Sequence, residues 1–189
     1  MSDTPTPRMP PLPEALMSHE QRKAADILIA GPRGRVAGPF IAMLRSPEFM
    51  VRAQSLGEYL RYGSALEPRL SELTVLLTSH HWQQNFEFTA HKPIALKAGV
   101  AQSTIDGILD GRKLDGLPKD EALLFQAVET IFWDKTFDDD LYARLVEEFG
   151  ENGVIDLLGI IGYYSMLAMI LNVTRTALPD GVENVFPYP

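Results

Sequence analysis

The stretch that decides the fold runs from Glu72 to Gly99, ELTVLLTSHHWQQNFEFTAHKPIALKAG. His80, His81 and His91 fall in it, with Glu72, Glu87 and a Gln83-Gln84-Asn85 run of amides. The residues around these groups are strongly apolar. Titratable side chains set into core-like sequence are costly to bury without partners, so chemistry is expected here.

Two helices are read across this stretch. Glu67-Pro68 opens the first, and Leu70, Leu73, Val75, Leu76 and Leu77 give it a broad apolar face as far as about His80. The second runs from roughly Gln83 to Lys97 and ends at a Gly99 C-cap. Pro93 cannot bond back to Thr89 and is expected to kink or split that helix near His91. Glu87 and His91 are four apart and so share a helix face. Glu72, Leu76 and His80 share a face of the preceding helix, and a tight connection would fold Glu72 back against the pair. A carboxylate beside an imidazole fixes its tautomer and makes a proton shuttle workable near neutrality. The reading is a site of Glu72, Glu87 and His91, joined by His80 or His81. Two other readings fit the same residues. One is a surface ion pair. The other is a nitrogen and oxygen ligand set (His80, Glu87, His91) for zinc or iron, for which no standard motif is present. Acid/base work is the expectation, with no metal and no cofactor.

Outward from this stretch the pattern stays helical. Ser18 and Gln21 form a capping box for a helix to about Ala30. The Gly31–Pro39 segment carries Arg33 and Arg35 among glycines. It would suit an anion-contacting loop, but it lacks the spacing and lysine of a phosphate loop and reads as a connector. Pro39 starts a short helix through Leu44, and Ser46-Pro47-Glu48 starts another to about Tyr62. Beyond Gly99, helices are expected from Ser103 to Leu109, from Pro118 to about Trp133, and from Asp138 to a stop at Gly150. Val154 to Val173 is apolar all round, which fits a buried central helix or subunit interface better than a membrane span. No stretch alternates with the period of a strand. The expectation is an all-α, compact multi-helix bundle: a proline-rich arm over 1–17, one domain over 18–178 and an irregular tail over 179–189. The arm would be disordered or wrap a neighbouring subunit.

Composition narrows the function. The net charge of −8 argues against nucleic acid or an anionic membrane surface as a partner. The chain has no cysteine, so thiolate catalysis, disulfides and Cys-x-x-Cys redox chemistry are excluded. The opening residues carry no apolar signal-peptide core, and a cytoplasmic address is the expectation.

The central stretch also resembles the carboxymuconolactone decarboxylase-like family, which includes the alkyl hydroperoxidase D proteins. The resemblance rests on Arg69, Glu72-Leu73, Asn85-Phe86-Glu87-Phe88-Thr89-Ala90-His91 and Ile94 to Gly99. Gly38-Pro39, Ser46-Pro47 and Gly159 to Tyr164 extend it over about Val36 to Asn172. Family cysteines of the hydroperoxidase branch fall on Gln84 and Glu87, so the thiol-free branch is the match. Asn85 stands where that branch has an acid, and Phe88 where it has tryptophan. The resemblance implies an alkyl hydroperoxidase D-like fold, assembling as a homo-oligomer (a trimer or hexamer) with its site near a subunit interface. It also implies a carbon–carbon lyase of aromatic-compound catabolism, decarboxylating a small carboxylated lactone or unsaturated acid. His91 would move the proton, tuned by Glu87, with Glu72 orienting it or acting as a second acid/base. Arg45 or Arg52 would hold a substrate carboxylate, with His80, His81, Trp82, Gln84 and Phe86 around it. A thiol-free oxidoreductase, metal-assisted in one form, and a non-catalytic oligomer that binds a small acid are the alternatives.

Overall fold

The computed structural model describes residues 6–187, so the first five residues of the arm and the last two of the tail lie outside the described residues. Those described residues form eight α-helices and one short 3-10 turn, with no strand. The helices are α1 (His19–Ala30), α2 (Pro39–Met43), α3 (Pro47–Tyr62), α4 (Pro68–His81), α5 (Asn85–Ala98), α6 (Gln102–Leu109), α7 (Lys119–Asp134) and α8 (Asp139–Thr174). Most starts are written in the sequence. Ser18 and Gln21 make the reciprocal capping box of α1, Pro39 and Pro47 open α2 and α3, and the Asp138 side chain accepts from Leu141 N to cap α8.

The bundle is assembled around α4, which packs against α5, α8, α7, α6 and α3. Every residue from Leu70 to Ser79 is buried. Its hydroxyls are absorbed locally: Thr74 Oγ1 donates to the Leu70 carbonyl at 2.8 Å and Ser79 Oγ to the Val75 carbonyl at 2.7 Å. The apolar segment Val154–Val173 was expected at the centre of the bundle. It lies within α8, whose non-helical Gly150 (φ 70°) breaks it into arms over 139–149 and 151–174. This is the one helix long and apolar enough to cross a membrane, among the described residues. Its inner stripe, including Leu157, Ile160, Leu167 and Leu171, is core, while Ile155 and Val173 face outward.

One expectation is corrected. Pro93 neither splits nor interrupts α5, which runs unbroken from Asn85 to Ala98. Pro93 is on the exposed face, where the carbonyl freed at Thr89 can be solvated, and the opposite face is pinned by Phe88, His91 and Ala95. The described part of the arm lies on its own chain: Arg8 N donates to the Thr174 carbonyl at 2.8 Å, and the Arg45 guanidinium to the Pro10 carbonyl. The tail also returns to the core. Phe186 is buried, with its ring edge-on to Phe88 at 5.2 Å. Asn85 holds it there: its Oδ1 accepts from Val185 N at 2.7 Å and Phe186 N at 2.8 Å, and its Nδ2 donates to the Phe186 carbonyl at 3.1 Å.

Candidate active site

The turn between α4 and α5 brings Glu72 onto the Glu87–His91 pair. Gln83 takes a left-handed conformation (φ 49°), and the Gln84 side chain caps α5 by accepting from Phe86 N and Glu87 N. Gln84 Nε2 also donates to Asn172 Oδ1 at 2.8 Å, and Asn172 Nδ2 donates to the Trp82 carbonyl at 3.1 Å, which ties the turn to α8. With the turn fixed, His91 sits between two carboxylates. Its Nδ1 lies 2.6 Å from Glu72 Oε2, and its Nε2 lies 3.5 Å from Glu87 Oε2. All three side chains are buried. A carboxylate at 2.6 Å accepts, so Nδ1 carries the proton and Nε2 is the working nitrogen. The Tyr164 ring stands edge-on to the imidazole at 5.0 Å.

The two carboxylates differ in environment. Glu72 is spent on the Nδ1–H. Glu87 Oε1 is buried with no hydrogen-bond partner, and burial raises the Glu87 carboxyl above its ordinary 4.5, against opposing pulls from His91, Arg33 and Arg61. A carboxyl kept towards its neutral form beside an imidazole nitrogen can supply a proton there. Glu87 and His91 form part of the wall of a cavity of about 280 Å³. Its apolar walls include Phe40, Phe86, Ile94 and Leu167, and its rim carries Arg33, Arg35 and Arg61.

Of the other residues expected at this site, Phe86 lines it and the rest lie elsewhere. Phe86 is on the cavity wall, packed so closely on Gly38 (φ 56°) that a Cβ there would overlap its ring. His80 and His81 line a separate cavity with Phe132 and Trp133, and His81 stacks on Phe132 at 3.6 Å. Trp82 sits at the turn with its indole N–H buried and unpartnered, outside the cavity that Glu87 and His91 line. Gln84 is an N-cap. Arg45 is committed to the Ile41 and Pro10 carbonyls, and exposed Arg52 pairs with Glu48 one turn back at 2.7 Å. Neither reaches the cavity. The arginines that do are Arg33 and Arg35, from the loop read as a connector, and Arg61, whose position near the end of α3 gave no signal. Among the described residues no group of three His, Asp or Glu side chains has the geometry of a metal site. His80, which the metal reading needed, lines that other cavity.

No family model and no curated protein sequence matches the chain. Among solved structures it is similar to the alkylhydroperoxidase AhpD core of an uncharacterized peroxidase-related protein from Ralstonia eutropha JMP134. The TM-score is 0.74 at 18% identity, over 93% of this chain and 94% of that one. The all-helical fold is therefore that of the alkylhydroperoxidase AhpD core, the fold the central motif implied.

Proposed function

We propose that the chain is an acid/base enzyme of the carbon–carbon lyase kind, which decarboxylates a small carboxylated lactone or unsaturated acid without a cofactor. The observation that carries this is the buried Glu72–His91–Glu87 relay on the wall of a small, arginine-rimmed cavity. In the proposed step the bond between the carboxylate carbon and the ring breaks, and carbon dioxide leaves. The electron pair moves towards the lactone carbonyl, and the resulting dienolate takes a proton at carbon. The Glu87 carboxyl gives its proton to Nε2, the imidazolium, held at its Nδ1–H by Glu72, passes that proton from Nε2 to the carbon, and Glu87 is reprotonated before the next turnover. One proton is taken from solvent per turnover. A cytoplasmic homo-oligomer, trimer or hexamer, goes with this reading. Exposed Ile155, Met169 and Val173 on α8 offer apolar surface for it.

The test is carbon dioxide release from a panel of carboxylated lactones and unsaturated acids. Turnover by the wild-type chain that falls at least about a hundredfold in His91→Ala supports the reading, on the usual scale of acid/base catalysis. Turnover untouched by His91→Ala would end it. The peroxidase-related neighbour supports a second reading about equally well, a thiol-free reduction of hydroperoxides. With no cysteine, that chemistry would need another redox group. Hydroperoxide consumption that tracks a bound metal on purification would favour it over the lyase.

A further inference from the structure

Three arginines without a carboxylate partner among the described residues meet at one cavity. Arg33 and Arg35 come from the α1–α2 loop and Arg61 from the last turn of α3. Of the other arginines, all but Arg175, the C-cap of α8, are engaged. Arg52 pairs with Glu48, Arg69 with Asp120 and Glu121, Arg112 with Asp110 and Arg144 with Asp140. Arg8, Arg22 and Arg45 donate to backbone carbonyls. Against three guanidinium groups the cavity wall sets one carboxylate, Glu87. Glu72, behind His91, is already used by the imidazole. Unpaired positive charge gathered beside apolar walls favours an anionic occupant.

Arg33 is seated deliberately. Its Nε and Nη2 are both buried and without a hydrogen-bond partner, and its guanidinium lies over the Phe40 ring at 4.7 Å from the centroid. The Tyr163 hydroxyl reaches the same spot from α8, buried and likewise unpartnered. Both fit against α3 because residue 57 is glycine: a Cβ there would overlap the Tyr163 hydroxyl and lie 2.9 Å from Arg33 Nη2. Glycine inside a helix is unfavourable relative to alanine, so its place here goes with the close approach. A loop, α3 and α8 are thus fitted to one another around a guanidinium whose donors are unspent. Leaving buried donors unpaired is unfavourable, and a carboxylate satisfies them in the planar, two-pronged geometry that suits arginine.

We propose that Arg33, with Arg61 beside it, anchors a carboxylate of the ligand, so that the ligand lies with this group at the α1–α2 loop and its reacting carbon towards His91. The anchor deepens the lyase reading and rests on it only for the reacting carbon. The carboxylate subsite itself stands on the arginines.

Calorimetric titration of the full chain tests it with three probes: γ-butyrolactone-γ-carboxylate, uncharged γ-butyrolactone and inorganic phosphate. The wild-type chain should bind the lactone acid in preference to the other two. Arg33→Met should weaken the acid about tenfold to a hundredfold, as expected for loss of a charge-assisted pair, and leave the neutral lactone unchanged. Arg33→Lys should recover part of the loss. Arg61→Met, which leaves the Gly57–Tyr163 contact intact, should weaken the acid in the same sense and serves if Arg33→Met does not fold. Equal affinity for acid and neutral lactone in the wild-type chain would overturn the proposal. So would affinity for the acid unchanged in the folded arginine variants. Phosphate that binds as tightly as the acid would overturn the carboxylate assignment. The anchor is read by affinity for the acid and the lyase reading by carbon dioxide release, so loss of the one and loss of the other give different results.

Discussion

Glu87 is the residue whose environment is most at odds with its charge. Its carboxyl is buried, one oxygen has no partner, and its pKa is raised above the 4.5 of a free side chain. A group raised on folding lends stability below its unfolded value and loses it as pH climbs through its folded value. The wild-type chain should therefore lose stability from about pH 4.5 towards neutrality relative to Glu87→Gln, which cannot ionise. Denaturant titrations of both proteins across that range check this, and parallel curves would contradict it. Asn85 makes the complementary case. An amide can both accept from Val185 and Phe186 and donate back to the Phe186 carbonyl, whereas a carboxylate cannot donate. Asn85→Asp should cost about 1–3 kcal/mol by setting two acceptors against each other. Urea denaturation measures the loss, and faster proteolysis of the tail should accompany it. An amide at position 85 is therefore suited to holding the tail, and an acid there is not. The sequence could show the departure at Asn85 but not its partner, a hundred residues away.

Among the elements, the α4–α5 pair was readable because its signals are local: Pro68 at the start, i, i+4 spacing for Glu87 and His91, and Gly99 at the end. The arginines were not, because their meaning depends on which helices the α1–α2 loop lies against. Gly57 shows the same limit. In sequence it is a weak point in α3, and in the fold it admits Tyr163 and Arg33. Gly57→Ala should destabilise by about 1–3 kcal/mol despite alanine's better helix propensity, since overpacking outweighs that gain. Tyr163→Phe, which removes the overlapping hydroxyl, should restore part of the loss when added to Gly57→Ala. Thermal melts of the three variants read this cycle, and a Gly57→Ala chain more stable than wild type would show that the contact can relax. Pro93 teaches the opposite lesson: a strong local breaker was overridden because it fell on the solvent side of a helix held by its inner face.

Across the whole molecule, Arg69 joins α4 to the start of α7 through Asp120 and Glu121. Arg69→Met would leave Glu121 buried without its partner and should cost about 2 kcal/mol, below the figure for a fully buried pair because Asp120 is partly exposed. Adding Glu121→Gln should recover some of it in urea denaturation. The fold as a whole was legible from helix periodicity and the Glu72–Gly99 motif. Its centre was less so, because α4, with its serines and threonines, is less uniformly apolar than α8. Those hydroxyls bond to their own helix and so pack as core. We propose that Glu72, His91 and Glu87 work as one acid/base unit. Proton NMR of γ-carboxylated butenolides in heavy water tests it most directly. The wild-type chain should place deuterium on the carbon next to the lactone carbonyl, by exchange or on loss of carbon dioxide, and His91→Gln should not. Equal labelling by both proteins, or none by the wild-type chain, would contradict the account.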